Sequence, residues 1–428
     1  MRHSIMRASV AAAAFMLTLG AAATARAQVE ETLEQKAARI HREAIVIDLH
    51  SDVTPKIESG WDFSERHELN VEGAGGRGRI GERRGGVRGE RRGGVAGGGA
   101  GERGAVAGER GQRQGRQNRP GHMDMPRMRE GGLDAQFFSL YMGRTPGDGT
   151  AVKRAIKRID AVHQAVRKWP DQIALATTAA DIRRIVGEGK IAALMGVEGG
   201  HIIENEIPVL RMYHALGVRY MTLTHSFNTD WADAAGVGSD TEGAHGGLTD
   251  LGRDIVREMN YLGMMVDISH VADTTFWDAL EVSQAPMIAS HSSCRDIADH
   301  RRNMTDEMIE ALAAKGGVIH INFATGFINP GNSAGATARH VVDHFDHAIR
   351  LVGAAHVGIG ADWDGTSIPA DVGDVTWLPT LTLELLKRGH GEEDIKMALG
   401  GSTLRVMAEV EAVAARLQAE ERARNRGN

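Results

Sequence analysis

Seven residues of this chain share one kind of chemistry: His50, Asp52, Glu198, His225, His270, His291 and Asp362. Each closes or directly follows an apolar run: "IVIDLHSD", "IAALMGVE", "YMTLTH", "MMVDISH", "PMIASH" and "HVGIGAD". Imidazole and carboxylate together, with no thiolate, are the donor set of zinc and related divalent ions. Four or five such ligands exceed what one ion usually takes from protein, and a carboxylate in their midst can bridge two. Two ions about 3.5–4 Å apart can polarise a carbonyl and activate water. Taken singly, each residue has a plainer use. A strand-end histidine is often a hydrogen-bonded structural group. Glu198 could cap a helix, and Asp362 could be a turn residue, since Asp364-Gly365 follows it. The joint pattern is what points to a metal hydrolase.

The elements that must carry these groups alternate between strand and helix. Strands are expected at 44–50, 133–140, 191–198, 218–225, 264–270, 286–291, 317–323 and 356–362. Amphipathic helices are expected between most of them, at 150–168, 204–215, 248–262 and 304–315. Short apolar strands in that number, separated by helices, predict an α/β protein with a (β/α)8 TIM-type barrel. A doubly wound open sheet is the competitor, but no glycine-rich phosphate loop follows the first strand. In such barrels the active site lies at the C-terminal ends of the strands. Alternation along a strand puts residues two apart on one side, so His50 and Asp52 could reach one point.

Around this barrel the composition sets bounds. The chain has 428 residues, 42% of them hydrophobic, and a net charge of −6 that makes no global case for nucleic acid. Residues 1–27 read as a signal peptide, with Arg2 and Arg7 before an apolar centre and "ARA" before Gln28. This predicts export, most simply to the periplasm. No cysteine follows that stretch and no apolar tail ends the chain, so no membrane anchor is expected. Cys294 is the one cysteine, which excludes an internal disulfide. Residues 73–119 carry twelve Arg and four Glu among repeated "GERRGG" units, a low-complexity insertion that leaves the remainder acidic. The expected organisation is signal peptide 1–27, barrel 28–72 and 120–415, insertion 73–119 and charged tail 416–428.

The strings "HSD", "PRMREGGLDAQFFSLYM", "GVEGGH", "RYMTLTHSFNTDWAD", "VDISHV", "SHSS", "RRN" and "GIGADWDG" go further. In order and spacing the chain resembles the membrane (renal-type) dipeptidase family, zinc dipeptidases of the amidohydrolase-like barrels, from about residue 36 to 412. The resemblance implies two zinc ions. His50 and Asp52 would hold one, His270 and His291 the other, and Glu198 would bridge them. A metal-bridging hydroxide would attack the peptide carbonyl of a dipeptide, extending to a D-residue or dehydropeptide at the C-terminal end. Asp362 would carry the proton to the leaving amine, and His225 would steady the oxyanion. Arg302 would grip the substrate carboxylate, with Arg301 as its neighbouring candidate. Asn228 and Trp231 would shape the pocket, where Phe138 and Phe327 replace the Trp and Tyr that relatives often carry. His201 would support the ligands from behind, and His122, His245, His320 and His347 are left as structural or surface groups. The resemblance also brings a homodimer into view. Other metal-dependent hydrolases, acting on N-acyl-amino acids or lactones, use similar sites, and a barrel that only binds is the remaining option.

Overall fold

The computed structural model describes residues 31–67, 121–236 and 243–427. The signal peptide expected at 1–27 and the insertion expected at 73–119 lie outside the described residues. Nine strands are present among those described: β1 (Ile47–Ser51), β2 (Ala135–Ser139), β3 (Ile173–Leu175), β4 (Ile191–Val197), β5 (Val218–Thr222), β6 (Met265–Asp267), β7 (Ile288–Ser292), β8 (Val318–Ile321) and β9 (Val357–Ile359). All pairings are parallel, and β2 pairs with β4 to close a ring of eight strands, β1-β2-β4-β5-β6-β7-β8-β9. The chain is therefore the expected α/β barrel. The extra strand, β3, pairs with the first three residues of β4, while β5 pairs with its last three.

Successive strand residues alternate between two apolar clusters, the reason these strands read as unbroken apolar runs. In β4, Ala192 and Leu194 join an inner cluster with Phe137, Tyr220, Met265, Ile288 and Val318. Ala193, Met195 and Val197 face outward into a larger cluster with Ile159, Leu210, Ile255, Phe276, Leu312 and Phe345 of the helices. The final helix, Ser402–Gly427, adds Leu404, Val406, Met407 and Val410 to the inner cluster. Residues 416–427, expected as a charged tail, continue that helix with an exposed, polar end.

The helices start where local chemistry favours it. Thr178, Thr249 and Thr305 each accept from a backbone N–H in the first turn of the helices Ala179–Gly187, Asp250–Leu262 and Asp306–Ala314. The helix Thr150–Lys168 has the predicted span, whereas the helix expected at 204–215 starts three residues later, at Ile207–Ala215, and a separate 3-10 turn, Gly200–Ile203, precedes it. Among the described residues no helix is long and apolar enough to cross a membrane.

Candidate active site

The C-terminal ends of the strands bring the predicted ligands together around Glu198, just past β4. Its Oε1 lies 3.2 Å from Nε2 of His270, and 3.5 Å from Nε2 of both His291 and His225. Its Oε2 lies 3.5 Å from His50 Nε2, which is also 3.9 Å from Asp52 Oδ1 and 4.0 Å from Asp362 Oδ1. One carboxylate thus faces ligand groups on both sides.

How His50 gets there corrects the expectation. Simple alternation would put it on the outer face, since Ile47 and Leu49 belong to the inner cluster. In the β1–β2 register, Asp48 pairs with Gln136 but Ser51 with Phe138, so β1 carries one extra residue. That bulge re-aims the strand end. The same device recurs at His291: Ala289 pairs with Ile319 but Ser292 with Ile321. Asp52 itself lies just beyond β1, its N–H donating to Trp363 O at 2.8 Å. His270 and Asp362 sit at φ +71° and +63°, left-handed conformations uncommon outside glycine and often found at functional sites.

Two hydroxyls fix which nitrogen each imidazole presents. Tyr220 donates to Leu49 O at 3.2 Å, so its oxygen accepts the Nδ1–H of His50 at 2.9 Å. Ser290 donates to Asp267 Oδ2 at 2.6 Å, so its oxygen accepts the Nδ1–H of His291 at 2.7 Å. In its neutral form each of these histidines therefore presents Nε2, and not Nδ1, as the free lone pair toward Glu198. These supporting groups were not foreseen, nor was Asp48, which accepts from the backbone N–H of His50 and Ala361 and from Gln136. A carboxylate inside an apolar run, two residues from a ligand, is the signal that Asp48 offered in the sequence.

The donor set fits a cation. Three carboxylates converge on His50. Burial opposes its protonation, but Glu198, Asp362 and Asp52 together overcome that and lift it to about 10. Burial instead holds His270 and His291 well below the ordinary range, in the neutral form that ligates. Their Nε2 atoms face each other at 2.7 Å. His50 Nε2 and Asp52 Oδ1 are buried without a hydrogen-bond partner, as unfilled ligand atoms would be. Three groups of residues could each hold an ion: His50, Glu198 and His291; Glu198, His225 and His270; and His50, Asp52 and Asp362.

With this geometry in view, the comparisons with known proteins become decisive. The model of the membrane dipeptidase family, peptidase family M19, matches residues 34–421. The chain belongs to that family. It is therefore a hydrolase, a metallo-dipeptidase of family M19, and the metal-dependent cleavage of dipeptides is its activity at that level. Dipeptidase aclJ of Aspergillus oryzae is 38% identical over 303 residues, covering 69% of this chain and 71% of that protein. Dipeptidase 3 of Mus musculus is 38% identical over 300 residues, covering 68% of this chain and 59% of the mouse protein. The solved structure of the probable dipeptidase PvdM from Pseudomonas aeruginosa shares the fold, with a TM-score of 0.71 at 22% identity, covering 89% of this chain and 99% of that one.

The other predicted residues of this family member divide. Arg302 is 4% exposed, donates to His291 O at 3.2 Å, and stands over the Phe327 ring at 5.2 Å. Arg301 is exposed. Asn228 accepts from Ala234 N at 2.8 Å, and Trp231 is fully buried against Gly200 and Gly252, so both shape the loop that follows β5. Phe138 is fully buried and packs edge-on against Phe63 in the outer cluster. His201 contacts Met142 O at 3.2 Å and the Phe227 ring, outside the ligand groups. His122, His245, His320 and His347 bond to backbone or side-chain groups away from Glu198.

Proposed function

We propose that this dipeptidase works with two zinc ions, bridged by Glu198, on dipeptides that carry a free C-terminal carboxylate. The observation that carries the reading is the position of Glu198, whose two oxygens face His50 on one side and His270 and His291 on the other. His50 and Asp52 would hold one ion, and His270 and His291 the other. When bound, the ions supply Lewis acidity toward the carbonyl and lower the pKa of a water.

The chain's own residues do the remainder. Arg302 binds the substrate carboxylate. Its Nε is buried without a partner, and a planar guanidinium suits a carboxylate. Burial lowers it only to about 10, opposed by Asp362, Glu198 and Asp267, so it stays charged at neutral pH. His225 stands beside Glu198, where an N–H can stabilise the oxygen on which negative charge grows. Asp362 holds a proton for the leaving amine. Burial raises its carboxyl to about 8, with Asp52 and Glu198 adding to the rise against the pull of His50. Asn322 orients it by donating to Oδ2 at 3.3 Å.

The deciding experiment pairs metal analysis by mass spectrometry with cleavage of L-L and L-D dipeptides, before and after chelation. About two zinc per chain, with cleavage lost on chelation and restored by zinc, is expected. Undiminished cleavage by metal-free protein would overturn the reading.

A further inference from the structure

Beside the ligand cluster lies a cavity of about 520 Å3, lined by Asp52, Lys56, Glu58, Tyr141, Arg154, Lys157, Arg158 and Asp364 among others. Its size is that of a small-ligand pocket. Asp52 joins it to the metal site. Its walls come from the segment after β1, the loop after β2, the helix Thr150–Lys168 and, at Asp364, the segment after β9. Arg302 follows β7, and in the closed ring β7 is diametrically opposite β2. The carboxylate anchor and this cavity therefore lie on opposite sides of Glu198.

The charges of the cavity do not cancel. Lys56 pairs with Asp364 at 2.9 Å. The Nε of Arg158 is 3.4 Å from Glu58 Oε2, yet neither this Nε nor Nη1 makes a hydrogen bond, although both atoms are buried. Arg154 and Lys157, on the same face of the helix, have no ion-pair partner among the described residues. Over the whole lining, four cations face three carboxylates, Asp52, Glu58 and Asp364, and the excess positive charge stands over a guanidinium with orphaned donors, an arrangement that favours an anion. A dipeptide held at its C-terminal end by Arg302 runs across the metal ligands toward this side. Its α-amine stays next to the scissile carbonyl, among Asp52, Asp362 and Glu198. A glutamyl carboxylate reaches several bonds further, into the cationic cavity.

We propose that this cavity receives the side chain of the N-terminal residue and selects an anionic one, making aspartyl and glutamyl dipeptides the favoured substrates. The proposal rests on the dipeptidase reading above. The test compares kcat/KM for Glu-Ala and for its neutral isostere Gln-Ala, with Ala-Ala as reference, in the metal-loaded wild type and in the double variant Arg154→Glu, Lys157→Glu. A wild-type preference for Glu-Ala of about tenfold is expected, the worth of one charge-assisted hydrogen bond. In the variant that ratio is expected to fall to about one or below. Both substitutions lie at exposed helix positions, and the ratio is internal to each protein, so a change in folded fraction does not alter it. Ala-Ala cleaved while Glu-Ala is no better than Gln-Ala overturns the proposal and leaves the dipeptidase reading intact. A preference that survives in the variant overturns the role of these cations. Failure to cleave any of the three overturns the dipeptide reading, and the cavity's role with it.

Discussion

At the scale of single residues, burial separates neighbours that the sequence presents as equals. Arg301 and Arg302 are adjacent, yet only Arg302 is enclosed, beside His291 and over Phe327. A buried guanidinium with an unsatisfied Nε gains most from a carboxylate, because the pair forms where water screens it little. Arg302→Ala should therefore raise KM for free dipeptides by about 10–100-fold, the range of a lost charge-assisted contact. It should have far less effect on C-terminally amidated dipeptides, which offer no anion. Steady-state kinetics on matched acid and amide substrates reads the difference, and equal losses on both would dismiss the carboxylate role.

The elements explain why those residues converge. The bulges in β1 and β7 each place one extra residue at a candidate ligand, His50 and His291. In β7 the extra residue also lets Ser290 stand between Asp267 and the His291 ring. Ser290→Ala removes a small polar group from this relay without leaving a large void. It frees the imidazole to turn and to change tautomer. Metal affinity should fall by about 10–100-fold, as it does when such supporting contacts are lost. Competition against a graded chelator would show it, and a curve overlying that of the wild type would refute the relay. The candidate ligands that converge on Glu198 were legible in the sequence because a polar group ending an apolar run stands out. The bulges were not, since one added residue leaves the apolar pattern unchanged. Strand β3, with three residues, was too short to register beside the helix that precedes it. Asp48 and Asp267 were passed over inside their runs. Arg154, Lys157 and Arg158 read simply as the polar side of an amphipathic helix, and only the folded chain shows that this side shares a cavity with Asp52.

For the whole molecule, a barrel stabilised by its core and by no disulfide depends on keeping its buried imidazoles neutral. His320 lies in β8, its ring between Ala289 O at 3.0 Å and Thr403 Oγ1 at 3.0 Å, where it ties the strand to the final helix. Burial lowers it to about 3, with the Ala289 carbonyl opposing. His344, on the helix Ala338–Val352, is lowered to about 4, again chiefly by burial. The unfolded chain binds these protons near pH 6.5, whereas the folded chain resists them to a far lower pH. Their contribution is therefore complete above about pH 6.5 and is lost as the pH falls from there toward 3–4. Each histidine should cost about 1.4 kcal/mol per pH unit across that window. His320→Gln should be less stable than the wild type at pH 7, because a glutamine cannot reproduce both contacts of the ring. Between pH 6 and 5, however, its unfolding free energy should decline less steeply, by about 1.4 kcal/mol per unit. Urea unfolding at matched metal concentration isolates this term, since the ligand histidines titrate alike in both proteins. Parallel pH profiles for the two would show that His320 takes up its proton equally in the folded and unfolded chains, and would refute the account of acid sensitivity given by the barrel's buried imidazoles.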